Sequence, residues 1–164
     1  MKLIICMFIV LISAKECDKN KAQLANQNTA ETTTVEMTER AIQNDVKFNY
    51  RAITRGFYLE IWIEGDSIKY TSDNTLKFIT STIIPAKEQV DLMKLLSDID
   101  EKMLPKLEAP STNFRFDAAA IATLEISKDE NSYKTVSFDH GNPPKSIKAI
   151  VEKMLSIKTM IEKQ

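Results

Sequence analysis

Residues 45–164 predict an α+β domain: a single antiparallel sheet of about six strands, in the order β-β-β-β-α-β-β-α, with two helices packed on one face. Three observations lead there. Apolar and polar residues alternate along successive short stretches after residue 45, the period of a half-buried strand. Turn-forming residues separate those stretches at close intervals. Two later segments, each opened by a proline, change to three- and four-residue apolar spacing, the period of a helix lying on a core.

In "VKFNYRA" Val46, Phe48, Tyr50 and Ala52 share one face, and Lys47, Asn49 and Arg51 the other. After "TRG", the run "FYLEIWI" places Phe57, Leu59, Ile61 and Ile63 together. "EGDS" offers Gly65-Asp66 as a two-residue hairpin loop, and "SIKYTS" returns with Ile68 and Tyr70 on its apolar side. "SDN" makes a further turn, and "TLKFITST", residues 75–82, predicts a fourth strand. Pro85 then suits a helix start, with Glu88 favourable in the first turn. The stripe of that helix is Val90, Leu92, Met93, Leu95, Leu96, Ile99 and Met103. "LPKLEAPSTNFRFD" breaks it and predicts a long loop. "AAIATLEIS" and "SYKTVSF" predict two strands joined by the turn "KDEN". The last helix begins at Pro144 and buries Ile147, Ile150, Val151, Met154, Leu155 and Ile161.

The first 44 residues are of another kind. A basic start, the apolar run "LIICMFIVLI" and the small pair Ser13-Ala14 have the form of a secretory signal peptide over residues 1–14. Ten apolar residues fall short of the roughly twenty that a bilayer span takes. Cleavage after Ala14 suits an ordinary signal peptidase. The rival is cleavage behind Glu16, a signal of 1–16, with a lipid on Cys17, although Lys15-Glu16 are larger than a lipoprotein box favours. Cys6 departs with the signal in either case, which leaves Cys17 with no disulfide partner in the exported chain. Residues 15–44, rich in Asn, Gln, Thr, Lys and Glu, predict a flexible polar tether that holds the domain off a surface. The expected location is periplasmic, on an outer-membrane or cell surface, or secreted.

The chain has 43% hydrophobic and 27% charged residues and a formal net charge of -1. Nucleic acid is therefore not the expected partner, and a membrane is expected only through the lipid. No cofactor is expected, because His140 stands alone, Cys17 lies in the tether and no phosphate-binding glycine loop occurs. Nucleophilic catalysis would have to use His140 with Asp117 or Asp139 and a hydroxyl from Ser111, Ser137 or Ser146. That makes a small hydrolase or transferase the enzymatic alternative. Asp139 and His140 are sequence neighbours on a turn and point apart, so they do not form a dyad by themselves.

Three loops hold the candidate binding residues: Arg55, Gly56 and Phe57; Arg115 and Asp117; and Asp139, His140 and Asn142. In the last, "SFDHGNPPKSI", turn geometry accounts for Gly141, Asn142, Pro143 and Pro144, and His140 alone has no evident structural task. The reading these residues support is a non-enzymatic, exported, protein-binding module of the cell envelope. Its expected partner is another envelope or secreted protein, and a purely structural envelope component is a further alternative.

"RGFYLEIWI", "LPKLEAPS", "DAAAIATLEI" and "VSFDHGNPP" resemble a group of small exported, lipoprotein-like Bacteroidetes proteins over residues 50–160, "FDHGNPP" being the most specific piece. "CDKNK" after the signal is similar to the start of such lipoproteins. The layout more distantly resembles emfourin, an inhibitor of thermolysin-like metallopeptidases. The paired glycines of that family are replaced by Arg55-Gly56. The resemblance implies a peptidase as one specific partner.

Overall fold

The computed structural model describes residues 46–164. The signal, the tether and Cys17 lie outside the described residues. β1 (Val46–Thr54), β2 (Phe57–Glu64), β3 (Ser67–Thr71) and β4 (Thr80–Ile83) form a meander, followed by helix α1 (Ala86–Ser97). After two 3-10 segments, Glu101–Lys106 and Asn113–Phe116, come β5 (Ile121–Lys128), β6 (Asn131–Lys134) and β7 (Phe138–Asp139). A short 3-10 turn, Lys145–Ile147, leads into α2 (Lys148–Ile161). The architecture is α+β, one open antiparallel sheet in the order β4-β3-β2-β1-β5-β6, with β7 also paired to β5.

The alternation decides the faces. Phe48, Tyr50 and Ala52 of β1 pair in register with Ile63, Ile61 and Leu59 of β2 and with Ile126, Leu124 and Ala122 of β5, and Val46 continues the same face. These side chains meet Leu92 and Leu96 of α1 and Ile150, Val151, Met154 and Ile157 of α2 in one core. A buried aliphatic side chain contributes about 1.5–3 kcal/mol, so this layer dominates stability. Lys153 joins the helices by meeting Glu88 at 2.9 Å and Asp91 at 2.8 Å. Its hydrogen bonds to Asp91 and Glu88 raise its pKa. On the opposite face of the sheet, Glu60 is buried with the Tyr58 hydroxyl and with Asn49 Nδ2 at 3.1 Å, and the Arg51 guanidinium lies over the Tyr58 ring.

Four expectations need correction. The fourth strand starts at Thr80, not residue 75, because the Asp73 carboxylate accepts N–H bonds from Thr75, Lys77 and Phe78 and folds the chain into a turn with Leu76 at φ 58°. The expected strand over residues 132–138 is broken in two. β6 pairs Lys134 with Glu125 and β7 pairs Phe138 with Ala122, so three residues oppose two and form a bulge. Thr135 closes the gap, its Oγ1 accepting the Leu124 N–H at 3.1 Å while its own N–H donates to the Leu124 carbonyl at 2.9 Å. α1 ends at Ser97, and Val90 and Met103 of its expected stripe are exposed. Finally, α2 begins at Lys148, after the 3-10 turn that follows Pro144, and it buries Ile157 as well.

Candidate functional site

One end of the sheet collects all eight domain residues singled out as binding candidates. β1 and β2 close there through Arg55-Gly56, with Thr54 opposite Phe57 and Gly56 at φ 83°. Glycine takes that left-handed conformation at no steric cost. On the next strand, Ile121 of β5, opposite Ile53 of β1, pairs on its other side with Asp139 of β7 at the same end. The long loop before β5 is drawn in by Asp139 itself.

Asp139 is 2% exposed. Its Oδ2 accepts the Ser111 hydroxyl at 2.5 Å and the Asn113 N–H at 3.0 Å, and its Oδ1 accepts the Phe114 N–H at 2.7 Å. Asn142 Nδ2 donates to Ser111 Oγ at 2.7 Å. Burial pushes the Asp139 pKa up, but the Ser111 hydroxyl and the Phe114 and Asn113 amides outweigh it and hold it below the usual carboxylate value. The Asp139 side chain is thus a clamp on a segment more than twenty residues upstream. That clamp fixes the 3-10 segment carrying Arg115 and Phe116, and Asp117 ends the segment at φ 55°.

His140, one residue on, points the other way. Its N–H donates to the Ala120 carbonyl at 2.9 Å. Its ring lies over the end of the core, 5.3 Å from the Phe57 ring centroid and 6.0 Å from that of Tyr50. Nδ1 is 2.7 Å from the Tyr50 hydroxyl. Burial lowers the imidazole pKa and raises that of the Tyr50 phenol, so the pair is neutral whichever partner donates. His140 therefore has the structural task that the sequence left it without: it ties β1 and the β1–β2 hairpin to the β7 turn. Tyr50 was missed as its partner because alternation marks it only as a core residue.

Among the described residues, no carboxylate hydrogen-bonds the imidazole, and the Asp139 oxygens are turned to the upstream loop. Also among the described residues, no group of three or more metal-ligating side chains occurs, and no helix is long and apolar enough to cross a membrane. The assembled end exposes Phe116 at 80% and Phe57 at 40%, with Arg55 and Arg115 beside them; the Arg115 guanidinium lies 5.9 Å from the Phe114 ring centroid. A groove of about 260 Å³ opens between the hairpin tip and the next turn, lined by Thr54, Gly56, Phe57, Ser72 and Asp73 among others. Phe116 lies between the candidates Arg115 and Asp117, and only its exposure in the fold marks it as part of this surface. No family model matches the sequence, and no curated protein matches it significantly.

Proposed function

We propose that the domain is an exported protein-binding module whose contact surface is the loop end of the sheet, with inhibition of a secreted or envelope peptidase as its specific form. One observation carries this reading. Three sequence-distant loops are locked together by the Asp139 clamp and by His140, which bonds Tyr50 and packs on Phe57, and what they hold outward is aromatic and arginine side chains. Those residue types supply most binding energy at protein interfaces, and a surface rigid before binding loses less entropy on binding.

Export through the N-terminal signal, and attachment through Cys17, would put that surface within reach of envelope partners. Incorporation of labelled palmitate into the wild-type chain, absent in Cys17→Ser, tests the attachment. The binding function is tested by retention of envelope proteins on the immobilised chain. A partner held by the wild type and lost with Phe116→Ala or Arg115→Ala is expected, and an identical set on wild type and both variants overturns the assignment of the surface. Titration against a thermolysin-like metallopeptidase tests the inhibitory form, which is discarded if turnover is unchanged at micromolar excess.

A further inference from the structure

The sheet is finished differently at its two outer strands. On the β5 side, β6 carries Lys134 and follows the charged turn residues Asp129 and Glu130, the bulge after Lys134 interrupts the edge, and the 3-10 segment Glu101–Lys106 packs beside it. Charge, bulge and cover are the devices that keep an edge strand from pairing with another chain. Among the described residues, β4 has none of them. Thr80–Ile83 contains no charge and no proline, every residue of it is exposed, and among the described residues no strand pairs with its outer side. Phe78 at 79%, Ile83 at 69% and Ile79 at 46% make this border apolar.

The backbone polarity of the border follows from its inner bonds. Ile84 N–H donates to the Asp66 carbonyl at 2.8 Å, and the Phe78 carbonyl accepts the Thr71 hydroxyl at 2.5 Å. Even-numbered residues therefore direct their backbone groups toward β3. In an antiparallel strand the direction alternates, so Ile79, Ser81 and Ile83 turn N–H and C=O outward. The register places Ser81 beside Lys69 and Trp62, and Ile83 beside Ser67 and Glu64, on the face of the sheet away from the helices.

This border reads Ile79-Thr80-Ser81-Thr82-Ile83, the same in both directions. An antiparallel neighbour of the same sequence, centred on Ser81, sets Ile79 opposite Ile83, Thr80 opposite Thr82 and Ser81 opposite itself. Each outward N–H then meets a carbonyl, aliphatic residues face aliphatic ones and threonines face threonines, all favourable cross-strand pairs. Such a contact is isologous and closes at two copies. No like charges oppose each other within it, and Pro85, which has no N–H, ends it. Beside Ile79 lies a cavity of about 380 Å³, lined with Trp62, Glu64, Ser67 and Lys69, which Ile83 of the second copy would border.

We propose that β4 is a self-association edge: two copies of this chain pair antiparallel through residues 79–83, joining their sheets across a two-fold axis at Ser81. The palindrome favours a second copy over other extended chains, since a copy of the same strand matches aliphatic to aliphatic and hydroxyl to hydroxyl at every position. A five-residue seam falls at the small end of protein interfaces, below about 1,200 Å² in total, so a weak dimer is expected, one that dissociates on dilution. This inference is independent of the proposed binding surface, and either can fail alone.

Sedimentation of the purified full chain over a concentration series should show mass rising from monomer to dimer. Ser81→Lys places two ammonium groups opposite each other across the axis and should weaken the dimer about tenfold or more. Mixing Ser81→Lys with Ser81→Glu should restore a heterodimer, which only a contact centred on residue 81 predicts. Circular dichroism reports whether each variant folds, and Ile83→Lys serves in place of a variant that does not. A monomer at every concentration up to about 1 mM, or a dimer untouched by the folded variant, overturns the proposal.

Discussion

The Asp139 end and the β4 border are both places where the sheet runs out of backbone partners, and the chain treats them in opposite ways. At the first, a buried carboxylate provides the missing partners, so amides of a distant loop are bonded within the molecule. At the second, alternate N–H and C=O groups face outward beside exposed isoleucines. Polar groups satisfied internally make a surface that is rigid before anything binds. Polar groups left in a row make a template for another strand.

The largest effect expected from breaking this contrast comes from beneath the clamped end. Phe138→Ala removes a fully buried ring that packs 6.4 Å from Tyr50 and should cost about 3–5 kcal/mol in denaturant unfolding. Asp139→Ala should come next, because it strips partners from Ser111, Asn113 and Phe114 together. Hydrogen exchange at the Asn113 and Phe114 amides should accelerate far more than at the β1–β2 ladder, and uniform protection would show that the clamp holds nothing. Tyr50→Phe leaves the imidazole Nδ1 without its hydroxyl partner and should cost about 1 kcal/mol.

Acid sharpens the same comparison with a smaller effect. Burial holds His140 below its ordinary value of 6.5, so the unfolded chain takes up the proton more readily than the native one. Its contribution is complete above about pH 6.5 and is lost as pH falls through the lowered folded value. His140→Gln should flatten that step and spare the one at lower pH, where Asp139 with its depressed pKa is protonated. Denaturation midpoints across about pH 2–7 measure both. The smallest effect belongs to the border: Ile83→Lys should change the stability of the monomer by no more than about 0.5 kcal/mol, measured at concentrations too low for association.

Much of the fold was legible in the order of residues. Period-two alternation put Val46, Phe48 and Tyr50 on the core face, and Gly65-Asp66 and the "KDEN" turn fell where hairpins close. The misread places share one cause. Asp73 gathering three amides, Thr135 standing in for a strand residue, and Val90 left uncovered all depend on what lies nearby in space, and local spacing does not carry that. The candidate loops were visible as loops because glycine, proline and asparagine announce turns through their own backbone limits.

What the order of residues determined alone, then, was which side of each element is apolar and where the chain turns, since both follow from periods and dihedral preferences within a few residues. Only the tertiary structure decided that Arg55, Phe57, Arg115, Asp117, Asp139, His140 and Asn142 share one end of the sheet. Their meeting depends on strand register and on hydrogen bonds spanning twenty to ninety positions. It also decided which strand is left at the border. Residues 79–83 read as an ordinary strand until the fold places nothing beyond them among the described residues, and only then does their symmetry acquire a physical meaning.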